Sequence, residues 1–193
     1  RKLPDVLSVT EVDAMLAKIN LNQPLGHRNR AIMEMLYGCG LRVTELVTLR
    51  IGDLFFKEGY VRVVGKGDKQ RLVPVGDEAV RFVTLYLEQR PTMRVDPRHA
   101  ETLFLNNKGR GLTRVMIYHI IREAARAAGI TKHISPHTLR HSFATHLLEG
   151  GASIRQVQQM LGHESIVTTE IYTHLDGESL GRNVDLHHPL SDR

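Results

Sequence analysis

The chain has no tryptophan and a single cysteine, Cys39. One thiol builds neither a disulfide framework nor a thiolate metal cage, and it suits a reducing cytoplasm. No apolar run approaches the ~20 residues needed to cross a bilayer. No apolar signal-peptide segment opens the chain, which starts on Arg1 and reads as a piece of a longer protein. Gly65-Lys66-Gly67 lies outside any G-x-x-x-x-G-K-[ST] phosphate loop, and H-E-x-x-H is missing. Internal repeats and low-complexity stretches are also missing. These absences remove membrane, secreted, P-loop and zincin classes, and with them a membrane partner. What remains is 193 residues, enough for one domain with a real core. Lys and Arg number 26 against 21 acidic residues, giving a formal charge of +5. That is a mild push toward a polyanionic partner.

Helix signals dominate. Ser8 and Glu11 form a capping box, which predicts a helix to about Ile19. Helical spacing of Ile32, Met35, Leu36 and Cys39 predicts a second over roughly 27–38, broken by Gly38-Cys39-Gly40. A further helix is expected from Leu41 to Leu49. The pattern then turns to β. Tyr60–Val64 and Arg71–Val75 read as a hairpin around the cationic turn 65–70, with Phe55 and Phe56 in a third, short strand. Asp77–Gln89 returns to helix, and 91–112 reads as irregular. Thr113, Ser135, Ser153 and Ser165 each precede a helical pattern, with Pro136 at a first helical position. Residues 177–193 look like a tail. The expected class is α+β, mostly helical, with one small antiparallel three-stranded sheet.

Six dispersed residues suggest chemistry on a phosphodiester: Arg42, Lys66, His137, Arg140, His163 and Tyr172. His137 and Arg140 are three apart at a helix start, so both project from one face toward the positive end of the helix dipole. Arg42 and Arg140 offer planar forks suited to nonbridging phosphate oxygens. Glu45, three residues after Arg42, can orient its guanidinium. Lys66 sits on the hairpin tip, where an ammonium can protonate a leaving 5′-oxygen, and Lys69 is an alternative for that role. Lys66, Lys69 and Arg71 are candidate DNA contacts. His163 can donate a hydrogen bond to phosphate. A tyrosine phenolate such as that of Tyr172 is a usable nucleophile, and nearby arginines favour it over the phenol. Singly, each residue has an ordinary reading as a cap, a surface ion pair or a half-buried tyrosine. The combination is what carries weight.

In order along the chain, Gly40-Leu41-Arg42-Val43-Thr44-Glu45-Leu46, Val64-Gly65-Lys66-Gly67-Asp68-Lys69, Ser135-Pro136-His137-Thr138-Leu139-Arg140-His141, Leu161-Gly162-His163 and Thr168-Thr169-Glu170-Ile171-Tyr172-Thr173-His174 resemble the catalytic domain of tyrosine recombinases, the phage integrase family. The likeness is strongest to the bacterial Xer branch, which resolves chromosome dimers. The resemblance implies that residues 1–176 form the catalytic domain and that 177–193 dock on a neighbouring protomer. It implies Tyr172 as the nucleophile of a 3′-phosphotyrosyl bond, Lys66 as the general acid, and Arg42, Arg140, His137 and His163 as phosphate ligands, with Glu45 supporting Arg42. It further implies double-stranded DNA as substrate, a synaptic tetramer, a nucleoid location, and neither metal, cofactor nor small-molecule substrate. The family's N-terminal helical DNA-binding domain has no counterpart in this sequence, so weak DNA binding by the fragment is expected.

Four rivals fit less well. His137 and His141 have an i,i+4 spacing that can hold zinc, but the other ligands of a recognised motif are missing. A non-catalytic DNA-binding relative is expected to have lost Tyr172 or an arginine, and neither is lost. A type IB topoisomerase would relax supercoils without strand exchange. An integrase of a mobile element would use the same chemistry; the lack of evident insertions favours the Xer branch.

Overall fold

Helix α2, Gly26–Cys39, runs through the centre of the domain and is buried at every position from Ala31 to Cys39. Ile32, Met33, Met35, Leu36, Tyr37 and Cys39 are all fully buried. A helix covered all round needs partners on several faces. The computed structural model, which describes residues 5–162, supplies them. Helices α1 (Val9–Ala17), α3 (Val43–Val47), α4 (Asp77–Gln89), α5 (Arg114–Ala127) and α6 (Pro136–Glu149) all pack against α2 or one another. Helix α7, Ile154–Leu161, packs on α6 and on the sheet. Tyr37 meets Phe143 of α6 edge-to-face at 6.1 Å between ring centroids. Its hydroxyl lies 2.5 Å from His146 Nδ1, so the buried phenol is satisfied.

The sheet has order β1-β2-β3, with β1 Leu54–Phe55, β2 Tyr60–Val64 and β3 Gln70–Pro74, all antiparallel. Val61 pairs with Val73, and Val63 with Arg71. The period of two sends Val61, Val63 and Val73 into the core. Arg62 and Leu72 pair on the outer face, where Arg62 Nε donates 3.0 Å to Asp53 Oδ1. The β2–β3 connection is a 3-10 turn at Lys66–Asp68, with Gly67 and Asp68 both at positive φ.

The helix boundaries follow the caps. Ser8, Thr113, Ser135 and Ser153 each accept a bond from a backbone N–H of the first helical turn. The predicted helix Leu41–Leu49 is shorter than expected. Gly40 is left-handed and Arg42 is an extended N-cap, so only Val43–Val47 is helical. The third strand and β3 each begin one residue earlier than predicted. The stretch 91–112 holds two 3-10 turns and is tied down by the isolated bridges Arg50↔Thr102 and Leu105↔Gly111. Leu103, Phe104 and Leu105 are buried, which is what anchors it. The helix expected after Ser165 and the tail lie outside the described residues. Among those residues no helix is long and apolar enough to cross a membrane.

Candidate active site

Glu45 is the centre of the site. It lies on α3, only 3% exposed, and takes bonds from three directions. Arg71 on β3 grips it as a fork, Nη1 donating to Oε2 at 2.5 Å and Nη2 to Oε1 at 2.9 Å. The Arg42 backbone N–H donates to Oε1 at 2.9 Å, and Arg42 Nη1 is 3.5 Å from Oε2. Arg140 Nη1 stands 3.8 Å from Oε1. Burial alone would raise the Glu45 pKa. The Arg71 and Arg42 hydrogen bonds, with the charges of Arg71 and Arg140, outweigh it and hold the carboxyl below its ordinary range. A buried carboxylate thus gathers arginines from α6, β3 and the start of α3.

Arg140 is 4% exposed. Its Nη1 donates to the Gly40 carbonyl at 2.7 Å and its Nη2 to the Leu161 carbonyl at 2.5 Å. Gly40 makes this approach possible. It ends α2 at φ 64°, and a Cβ there would stand 2.5 Å from Phe143 Cδ2 and 2.6 Å from Leu161 Cδ2. Gly40→Ala is therefore expected to cost on the order of 3 kcal/mol, from the left-handed penalty plus overpacking. Urea unfolding should show a lower midpoint at unchanged slope.

His137 sits in the first turn of α6, exposed, with its Nε2 2.5 Å from Nε2 of buried His141. The rings meet edge-to-face at 3.9 Å between centroids. Such a contact requires a hydrogen on one nitrogen and a lone pair on the other. The His137 ring keeps an exposed edge and is only partly covered; that partial burial lowers its pKa, and the charges of Arg140 and Arg42 lower it further. Burial, His137 and Arg140 push the His141 pKa down from 6.5 to about 4. Between those values the unfolded chain holds more protons at His141, so native stability should fall as pH drops from 6.5 toward about 4. Thermal melts across that window check this, and His141→Gln should flatten the slope.

Arg42, Glu45, Lys66, Lys69, Arg71, Gln158, Gln159 and Gly162 all line one open cleft of about 950 Å³. Arg42 is 42% exposed on it, and Lys66 and Lys69 rise from the hairpin tip. Of the six predicted residues, four are described: Arg42 and Lys66 line this cleft, Arg140 is buried beside Glu45 with both Nη atoms on backbone carbonyls, and His137 lies near the charges of Arg42 and Arg140. His163 and Tyr172 lie outside the described residues; Gly162, which caps the end of α7, is on the cleft wall. Arg71, expected at the DNA, instead has its guanidinium turned into the protein, 14% exposed. Sequence reasoning missed that inward role and the pairing of His141 with His137, although the i,i+4 spacing of the histidines is a legible signal for the second. Among the described residues no group of three or more His, Cys, Asp or Glu is placed to hold a metal ion.

What the arrangement shows chemically is an anionic oxygen pair held among fixed cations, the two oxygens of Glu45. The model of the phage integrase family matches residues 5–179. The chain belongs to the phage integrase family. Among its members, tyrosine recombinase XerD of Listeria monocytogenes serotype 4b (strain F2365) is 49% identical over 174 residues, 90% of this chain and 59% of that protein. XerD of Staphylococcus aureus (strain Mu50 / ATCC 700699) is 46% identical over 189 residues, 98% of this chain and 64% of that protein. The chain thus spans about three fifths of the length of these curated relatives. Its fold matches a crystal structure of XerA recombinase with TM-score 0.80 and 36% identity, covering 93% of this chain and 63% of that one. It also matches XerH site-specific recombinase bound to difH substrate in a pre-cleavage complex, with TM-score 0.79 and 31% identity, covering 90% and 51%. The α+β class, mostly helical with a three-stranded antiparallel sheet, is that of the family's catalytic domains.

Proposed function

We propose that this chain cuts and rejoins DNA at specific sites as the catalytic domain of an Xer-type tyrosine recombinase. The observation that carries the reading is the buried Glu45 carboxylate, which gathers Arg42, Arg71 and Arg140 beside a cleft that also holds Lys66. Relatives named XerD support the Xer branch, and the XerH neighbour bound to difH supports DNA as partner.

In this reading the Tyr172 oxygen attacks the scissile phosphorus and forms a 3′-phosphotyrosyl ester. The phenolic proton passes to solvent or a nearby base. The phosphorus–O5′ bond breaks, and the 5′-oxygen takes a proton from Lys66. Arg42, Arg140, His137 and His163 balance the charge that grows on the nonbridging oxygens, the interaction that does most in such transfers. Rejoining reverses the steps, so the bond energy is conserved. Residues 1–176 act as the catalytic unit, and 177–193 reach a neighbouring protomer within a synaptic tetramer. Resolution of chromosome dimers in the cytoplasm is the proposed role.

A nicked suicide substrate carrying candidate sites, followed by mapping of the DNA-linked peptide, tests the proposal directly. Linkage at a residue other than Tyr172, or no linkage, removes it. Lys66→Ala should slow cleavage of normal DNA by about 10²–10⁴-fold, the usual span for a lost general acid. A 5′-bridging phosphorothiolate, whose thiolate leaves unprotonated, should recover most of that loss. Equal damage on both substrates argues against proton donation. DNA affinity should fall steeply with salt, each phosphate contact adding about 0.9 to the slope of log K against log salt. A flat plot in a filter-binding titration is inconsistent with a backbone-dominated interface.

A further inference from the structure

We infer that Arg71 is a positioning residue, which clamps the C-terminal end of α7 to Glu45 and so fixes where the chain departs toward His163 and Tyr172; this rests on the function proposed above. The last carbonyls of a helix have no partners within it. In α7 two of them are met by arginines from elsewhere. Arg71 Nε donates to the Met160 carbonyl at 2.8 Å, and Arg140 Nη2 takes the Leu161 carbonyl. Positive charge at this helix end also suits the dipole.

Geometry makes Arg71 more than a cap. While its Nε holds α7, its two Nη atoms hold both oxygens of Glu45. The same carboxylate receives the Arg42 backbone N–H and stands beside Arg140. Gly162, at φ 64°, closes down on the Arg71 side chain: a Cβ there would meet Arg71 Cδ and Nη1 at 3.2 Å and Nε at 3.3 Å. One guanidinium therefore spans the hairpin strand behind Lys66, the carboxylate under Arg42, and the final turn before His163. Only a planar fork with a third donor on its side can do this, so lysine is not an equivalent. The hairpin bearing the proposed acid and the end of α7 are joined through it.

The test compares wild type, Arg71→Lys and Arg71→Gln in the full chain. Single-turnover covalent trapping on a nicked substrate, at saturating DNA and well below the melting temperature, should give rate constants at least about 30-fold lower at wild-type amplitude. DNA Kd should change less than about threefold, with the salt slope unchanged. Hydrogen exchange should speed up at the amides of Met160, Leu161 and Gly162 and stay slow in the middle of α6. Three results overturn the inference. The first is a salt slope reduced by about 1 with normal cleavage at saturation, the mark of a phosphate contact. The second is a lower burst amplitude with an unaltered rate constant, the mark of a fold defect alone. The third is unchanged exchange at the end of α7. The exchange measurement needs no cleavage, so it still decides the clamp if wild type forms no adduct, a result that would sink the function instead.

Discussion

Tyr172→Phe is expected to bind DNA with near-native affinity and to form no covalent adduct, a loss of at least about 10³-fold in trapping. The substitution removes one oxygen and keeps the ring, so the fold and the cationic cleft should be unaffected. Affinity should persist because it comes from Lys and Arg on phosphates rather than from the phenol. The reactivity should not persist, because Tyr172 is the only hydroxyl in the proposed set and the 3′-phosphotyrosyl ester forms on its oxygen. A free phenol with pKa near ~10 is only roughly a thousandth ionised at neutral pH. Arg42 and Arg140 would correct this by stabilising the phenolate; after burial, the same two charges are what depress the His137 pKa. Gel-shift affinity and denaturing-gel adducts, read on the same preparations, separate binding from chemistry. An adduct that survives the substitution moves the nucleophile to another residue.

The fold was readable wherever short-range physics decides it. Ser8, Thr113, Ser135 and Ser153 marked helix starts because a side-chain cap is a local event. Asp77–Gln89 came out with its predicted boundaries, and the hairpin strands within one residue. The failures lie where the chain bends on account of distant contacts. Leu41–Leu49 carries Val43, Leu46 and Val47 at helical spacing, yet Gly40 must turn left-handed under Phe143 and Leu161, so the helix starts late. The anchoring of 91–112 depends on pairing with Leu49, Arg50 and Ile51 across the domain.

Of the site, chemical type was legible and direction was not. Arg42, Lys66, His137 and Arg140 have residue types suited to a phosphate, and Arg42 and Lys66 share the cleft while Arg140 is buried beside Glu45. Arg71 has the same charge and neighbours Lys69 in sequence, so it reads as another DNA contact. Nothing local reveals that its partners, Glu45 and Met160, are 26 and 89 positions away. A strand residue's face depends on register, and Val63↔Arg71 puts this one beside a core position.

Arg140→Ala should lower the rate of adduct formation by about 10²–10³-fold, the usual effect of deleting one preorganised charge donor. It should also lower stability, and the two effects must be separated. Truncation leaves the Gly40 and Leu161 carbonyls without the guanidinium that now satisfies them. Each buried group abandoned in this way costs about 1–3 kcal/mol. Glu45 also loses a stabilising positive charge, although Arg71 and Arg42 remain on it. A lower melting temperature is thus part of the expected result. Rates must be taken at saturating DNA and at a temperature where the variant is fully folded. Arg140→Lys is the discriminating companion. It keeps the charge near Glu45 and loses the fork that spans α2 and α7. If the fork is what matters, the lysine variant should recover melting temperature in part and cleavage hardly at all. Full cleavage by either variant would mean that Arg140 braces the domain and has no share in balancing the phosphate.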